Sequence, residues 1–203
     1  GSAVRAVEAR LGKLSLPRGV SVELGGQRLS QRRAFVALAE ALAAALALVL
    51  LVLVFQFGRF SSPLAILAAT PIALAGGVAA LAATGTALNV SSLLGAILLV
   101  GLVVKNGILL LHRAEERVAA GATLEDALAD AGAVRLRPIL MTTLCTLVGL
   151  VPLALGLGAG AEMHRPLAIA VMGGLVVSTP ATLFAVPALY AWLAGRRRGA
   201  PEP

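Results

Sequence analysis

Lys105 is the residue whose type and place in this chain most need a physical reason. It lies in the stretch from Asn89 to Arg113, NVSSLLGAILLVGLVVKNGILLLHR, with apolar residues on both sides. A lysine well inside a membrane span is costly, and by default it marks a functional site with a partner. The bland alternative is snorkelling to the nearer boundary. Arg113 comes eight residues later, which is ~12 Å along a helix and more than the side chain readily covers. Asn106, beside Lys105, is of a type that can bond between helices. Arg135 and Thr142 stand seven residues apart, about two helical turns, so a hydroxyl could continue a polar track begun by the guanidinium. Each also has an ordinary role: Arg135 and Arg137 as cationic anchors ahead of Pro138, and Thr142 bonding its own backbone. A charged Lys105 needs an anion. The apolar stretches offer only Glu40, near the opposite end of another helix, and no aspartate. The counter-charge is therefore expected on a segment this chain does not contain.

The elements that must position these residues are read from composition first. Of 203 residues, 59% are hydrophobic and 13% charged, with a mean hydropathy of +0.93. That is too apolar for an ordinary soluble domain. No charge occurs between Arg59 and Lys105, between Arg137 and Glu162, or between Arg165 and Arg196. A helix needs about 20 mostly apolar residues to cross a bilayer, so these gaps hold spans, and the first holds more than one. The net charge of +7 does not point to nucleic acid, because the cations flank hydrophobic runs as membrane topology requires. Cys145 has no second cysteine to pair with and reads as a small hydrophobe. The chain opens with GSAVRAVEARL, with no basic segment, apolar core and cleavage site of a signal peptide, and reads as part of something longer.

In chain order, residues 1–15 carry Val4, Val7, Leu11 and Leu14 at helical spacing, and residues 20–24 alternate as a short strand before Gly25-Gly26. This piece is too small to bury a core alone. Five transmembrane helices are expected at about 34–57, 63–83, 89–113, 135–157 and 166–194, within a transmembrane domain over 33–195. Residues 114–134 form a polar connector with a surface helix capped by Thr123. Gly76-Gly77 can admit a neighbouring backbone, whereas Gly173-Gly174, Pro180 and Pro187 are expected to bend the fifth span. Arg59, Arg113, Arg117, Arg135, Arg137 and Arg196 to Arg198 fall on one side, eight against about five on the other. This places the carboxyl end, including the connector and a tail at 196–203, in the cytoplasm.

Other polar residues carry less. No Gly-x-Ser-x-Gly surrounds Ser91-Ser92, so a serine nucleophile working with His112 is a weak alternative. His112 and His164 read as surface histidines. The turn Glu162-Met163-His164 offers a polar and thioether surface, and the His and Cys spacings match no metal set. Neither a metal nor another cofactor is expected.

Several segments together are similar to the carboxyl-terminal part of a resistance-nodulation-division (RND) efflux transporter permease. They are LPRGVSVELGGQ (16–27), FQFGRFSSPLAIL (55–67), LNVSSLLGAILLVGLVVKNGILLLHRA (88–114), RLRPILMTTLCTLVGLVPLALGLGAGAE (135–162) and RPLAIAVMGGLVVST (165–179). The resemblance implies twelve spans in the complete protein, of which these are the eighth to twelfth. It also implies that residues 1–32 end a periplasmic porter subdomain of α+β type. It assigns a proton relay to Lys105, Arg135 and Thr142, and places the paired aspartates on the fourth span, which this chain lacks. It further implies a homotrimer in the bacterial inner membrane, with a periplasmic adaptor protein and an outer-membrane channel as partners. The lysine favours the hydrophobe/amphiphile branch over the heavy-metal branch, although the turn GAGAEMHRP departs from that of many multidrug members. The expected function is proton-driven efflux by a secondary transporter, not an enzyme. Alternatives are protein secretion or lipid export by a relative, heavy-metal efflux, a membrane anchor, or an intramembrane hydrolase.

Overall fold

A computed structural model describes residues 27–198 of the chain. Its helices are α1 (Gln27–Phe57), α2 (Ser61–Ala83), α3 (Val90–Ala119), α4 (Leu124–Ala154), α5 (Ala161–Pro180) and α6 (Val186–Arg198). A five-residue π-turn, Ala181–Ala185, joins α5 to α6. No strand occurs among the described residues, and the helix-and-strand reading of the first 26 residues falls outside them. Five segments are long and apolar enough to cross a membrane: Arg33–Phe57, Ser61–Ala83, Val90–Ala119, Leu124–Ala154 and Ala161–Ala194.

The chain is helical through most of the stretch read from its charges as a connector. α3 continues to Ala119 and α4 begins at Leu124, leaving a four-residue turn. Gly121 takes a positive φ of 93° there, a conformation open to glycine at little cost. Thr123 caps α4, its hydroxyl accepting from the Asp126 amide at 3.2 Å. α3 starts on a reciprocal cap: the Asn89 side chain accepts from the Ser92 amide and the Ser92 hydroxyl accepts from the Asn89 amide. Such caps satisfy amides that a helix start leaves unpaired.

The core is α2, α3 and α5 packed on one another, with α4 against α3 and α5 and with α6 against α2. Lipid tails are as apolar as leucine, so helices in a membrane associate through close contact and small residues. Here the contact is backbone on backbone. A Cβ added at Gly77 would stand 2.8 Å from the Ala170 carbonyl oxygen, and one at Gly95 would stand 2.9 Å from that of Leu167. Gly173-Gly174 lies inside unbroken α5 and serves this contact. The departure from α geometry comes later, directly after Pro180.

α1 leans on the core through one stripe, Leu42, Leu46, Val49, Leu53 and Phe57. Only 6% of the apolar window of α1 and 11% of that of α4 is buried, against 44%, 39% and 50% for the other three spans. α1 and α4 therefore present broad apolar faces away from the core.

One buried polar contact ties α4 to α5. The Thr179 hydroxyl donates to the Leu175 carbonyl at 2.7 Å, using its only proton. In the 3.2 Å contact between Thr143 and Thr179, Thr143 must therefore donate. The two substitutions are accordingly unequal. Thr179→Val orphans a buried donor and is expected to destabilise by about 1–3 kcal/mol, whereas Thr143→Val leaves Thr179 bonded and costs less than about 1 kcal/mol. Thermal unfolding of the full-length transporter in detergent checks the order.

Candidate functional site

α3 positions Lys105. Its packed side carries Leu99, Val100, Val103, Val104, Gly107, Leu110 and Leu111, all buried. Lys105 falls on the opposite, exposed strip, in line with Leu94, Leu98, Gly101 and His112. The small Gly101 sits about one turn before it, and a Cβ there would meet nothing within 4 Å. Among the described residues Lys105 forms no ion pair or hydrogen bond. Asn106 is turned partly into the packing and is half-buried.

α4 positions the other two. Arg135 and Thr142 lie on one strip at the border between the packed face, with Ile139 and Thr143, and the exposed face. The Arg135 Nε is buried and has no hydrogen-bond partner among the described residues. The Thr142 hydroxyl is exposed and bonds back to the Ile139 and Pro138 carbonyls at 3.0 and 3.1 Å, the ordinary intrahelical role of a threonine. Thr146, which sequence reasoning did not single out, extends the same strip and donates to the Thr142 carbonyl at 2.8 Å. The structure thus puts Lys105 and the Arg135–Thr142 strip on neighbouring helices that pack together, with no direct bond between them.

A second polar group, at the far end of α3, was missed. Its residues were scattered in the sequence reading: Glu115 among the connector charges, Ser62 at the end of a polar turn after the first span, and Tyr190 unremarked. The Ser62 hydroxyl donates to Glu115 Oε1 at 2.6 Å, and the Tyr190 hydroxyl donates to the same oxygen at 3.3 Å. Beside them, Asp130 of α4 takes Arg117 at 3.2 Å and Arg113 at 3.7 Å, and Glu116 takes Arg113 and His112 at 3.5 Å.

The hydrolase alternative fails on geometry. Ser91 and Ser92 open α3 and His112 stands near its other end, about 30 Å away along the axis. Ser92 is also committed to the cap. At the opposite end of the bundle from Glu115, Glu162 and Arg165 line an open cavity of about 350 Å³ with Thr84 and Thr86. Met163 and His164 in that turn are exposed.

An apolar bundle with a lysine on an open strip matches the segments that resemble efflux permeases, and whole-chain comparison decides the family. The profile of the AcrB/AcrD/AcrF family matches residues 1–194. This chain belongs to that family. It is 39% identical over 197 residues to the swarming motility protein SwrC of Bacillus subtilis (strain 168). That alignment takes in 97% of the chain and 19% of SwrC. Two crystal forms of a heavy metal efflux pump superimpose with TM-scores of 0.80 and 0.78 at 36% identity, covering 96% of this chain and 20% of the pump. The chain thus spans about a fifth of the length of these relatives. Members of the family are membrane transporters, and the five apolar helices here fit that role.

Proposed function

We propose that the chain supplies five transmembrane spans to a proton-driven efflux permease, a proton/substrate antiporter of the bacterial inner membrane that exports amphiphilic compounds. The observation that carries this reading is Lys105, a cation midway along an apolar helix on a strip with no partner among the described residues. A charge in that position needs an anion, and the strip is open to receive one from the rest of the transporter. Protonating the partner carboxylates weakens their hold on Lys105, so α3 shifts against its neighbours. Arg135 and Thr142 on α4 line the route by which the proton moves, and Asn106 supports the helix contact. The shift reaches the periplasmic porter region, to which residues 1–32 belong, through α1. The amino-terminal segment is periplasmic and the carboxyl end cytoplasmic. The complete protein works as a homotrimer with a periplasmic adaptor and an outer-membrane channel.

The test uses the full-length transporter in proteoliposomes loaded with a fluorescent amphiphilic dye. Dye movement is expected under an imposed pH gradient and should stop when a protonophore collapses it. Movement at an unchanged rate without the gradient overturns the proposal. The 36% identity to a heavy metal efflux pump favours a second reading, a metal cation as cargo. Zinc-loaded vesicles separate the two, since one cargo and not the other should move with the gradient.

A further inference from the structure

Apart from its amino-terminal cap, the polar contacts of α3 gather at its carboxyl-terminal, inner end, and two hydrogen bonds there converge on one carboxylate. α2 begins without an acidic residue in its first turn, and its cap position, Phe60, gives no side-chain cap. Helix starts favour negative charge, because their amides are unpaired and their dipoles point positive end outward. Glu115 of α3 brings that charge from another helix. Its bond from Ser62, at 2.6 Å, is in the range of a charge-assisted hydrogen bond. Ser62 is fully buried and Tyr190 is 5% exposed, so neither hydroxyl has water to turn to if the carboxylate leaves. Tyr190 arrives from α6, beyond the π-turn that resets the helical phase after Pro180, a feature frequent at functional sites. On the other side of α3, Arg113 and Arg117 reach Asp130 of α4. One short segment, 113–117, is thus hydrogen-bonded to α2 and α6 and ion-paired with α4. It lies about 15 Å along the helix from Lys105, whose own strip is open.

We infer that Glu115, through Ser62 and Tyr190, is a positioning residue that pins the inner end of α3. The pin makes this end the pivot about which the Lys105 segment moves. This rests on the proposed proton-driven cycle. A helix held at one end converts a local push at Lys105 into a swing passed to its neighbours. The same helix released at that end lets the push relax locally. Glu115 touches neither proton donor nor cargo. Its loss is expected to let protons pass with less cargo moved for each.

The experiment measures dye efflux and proton flux together in proteoliposomes of the full-length transporter. Glu115→Ala is expected to lower the dye-to-proton ratio by about threefold or more. Glu115→Gln, which still offers Ser62 an acceptor, should restore most of it. Ser62→Ala and Tyr190→Phe remove one donor each from other helices and answer the question if Glu115→Ala does not accumulate. Wild-type ratios in Glu115→Ala, or in the Ser62→Ala/Tyr190→Phe double variant where it stands in, overturn the inference. Spin labels on the inner ends of α3 and α6 separate this from failure of the wider reading. A broadened distance distribution in the variant supports the pin even if the wild type carries no proton flux, and an unchanged one removes it.

Discussion

Replacing Lys105 with alanine in the full-length transporter is expected to leave the protein inserted and assembled while proton-driven dye efflux falls by about a hundredfold or more. The two halves of that result have different origins. Assembly survives because Lys105 takes no part in the packing of α3, which rests on Val103, Val104, Gly107 and the leucines beyond. Alanine also keeps the helix, having the best intrinsic propensity. Transport fails, on the proposed mechanism, because the anion assigned to Lys105 by that proposal is left uncompensated. Removing one partner of a buried ion pair costs about 3–5 kcal/mol, so the partner carboxylates stay protonated and the cycle stalls. Lys105→Arg separates charge from proton chemistry. Guanidinium keeps the positive charge but is not a compact, titratable ammonium, so efflux should remain well below wild type. Efflux at the wild-type rate in Lys105→Ala, read as initial dye loss with assembly compared to wild type by size exclusion, removes Lys105 from the mechanism.

Which parts of this were legible in the sequence follows from what each signal measures. Hydropathy found the five apolar segments, because bilayer thickness sets their length regardless of tertiary detail. Charge was taken to end a helix at Arg113 and to start one at Arg135, but it marks only where the chain leaves an apolar environment. Nothing between Leu124 and Arg135 breaks a helix except the tolerable Gly132, so the surface helix and the span fuse into α4. Gly76-Gly77 was read rightly as a contact. Gly173-Gly174 was read as a bend, since a glycine pair gives the same sequence signal for either role and only the facing helix decides between them. The Glu115 group was illegible for a plainer reason: Ser62, Glu115 and Tyr190 are separated by 53 and 75 residues, and no local pattern links them. Arg135 and Thr142 were correctly placed on one strip, because helical spacing fixes that. Spacing says nothing about where Lys105 stands relative to them.

Gly173→Leu is expected to lose the folded bundle, with little full-length protein surviving detergent extraction and a large fall in Tm for what does. At Gly173 an added Cβ collides with the Cβ of Ala80 and lies 2.9 Å from the Gly76 carbonyl oxygen. Neither obstacle can rotate away: one is attached directly to the main chain and the other belongs to it. Gly174 is more forgiving on one side, since its added Cβ meets the Leu99 side chain, although the Ala73 carbonyl oxygen stands 3.0 Å away. Even Gly173→Ala must push α2 and α5 apart. Overpacking of a tight core costs about 1–3 kcal/mol, and every added methylene of leucine adds to that. The spread also carries α3 with it, because α3 packs against α5 at Gly95. Gly132→Ala is the control: a Cβ there meets nothing within 4 Å. Propensity alone then predicts no loss, and a gain of up to about 1 kcal/mol. If Gly173→Ala and Gly132→Ala shift Tm alike, α2 and α5 do not meet backbone to backbone, and the core described above is wrong at its centre.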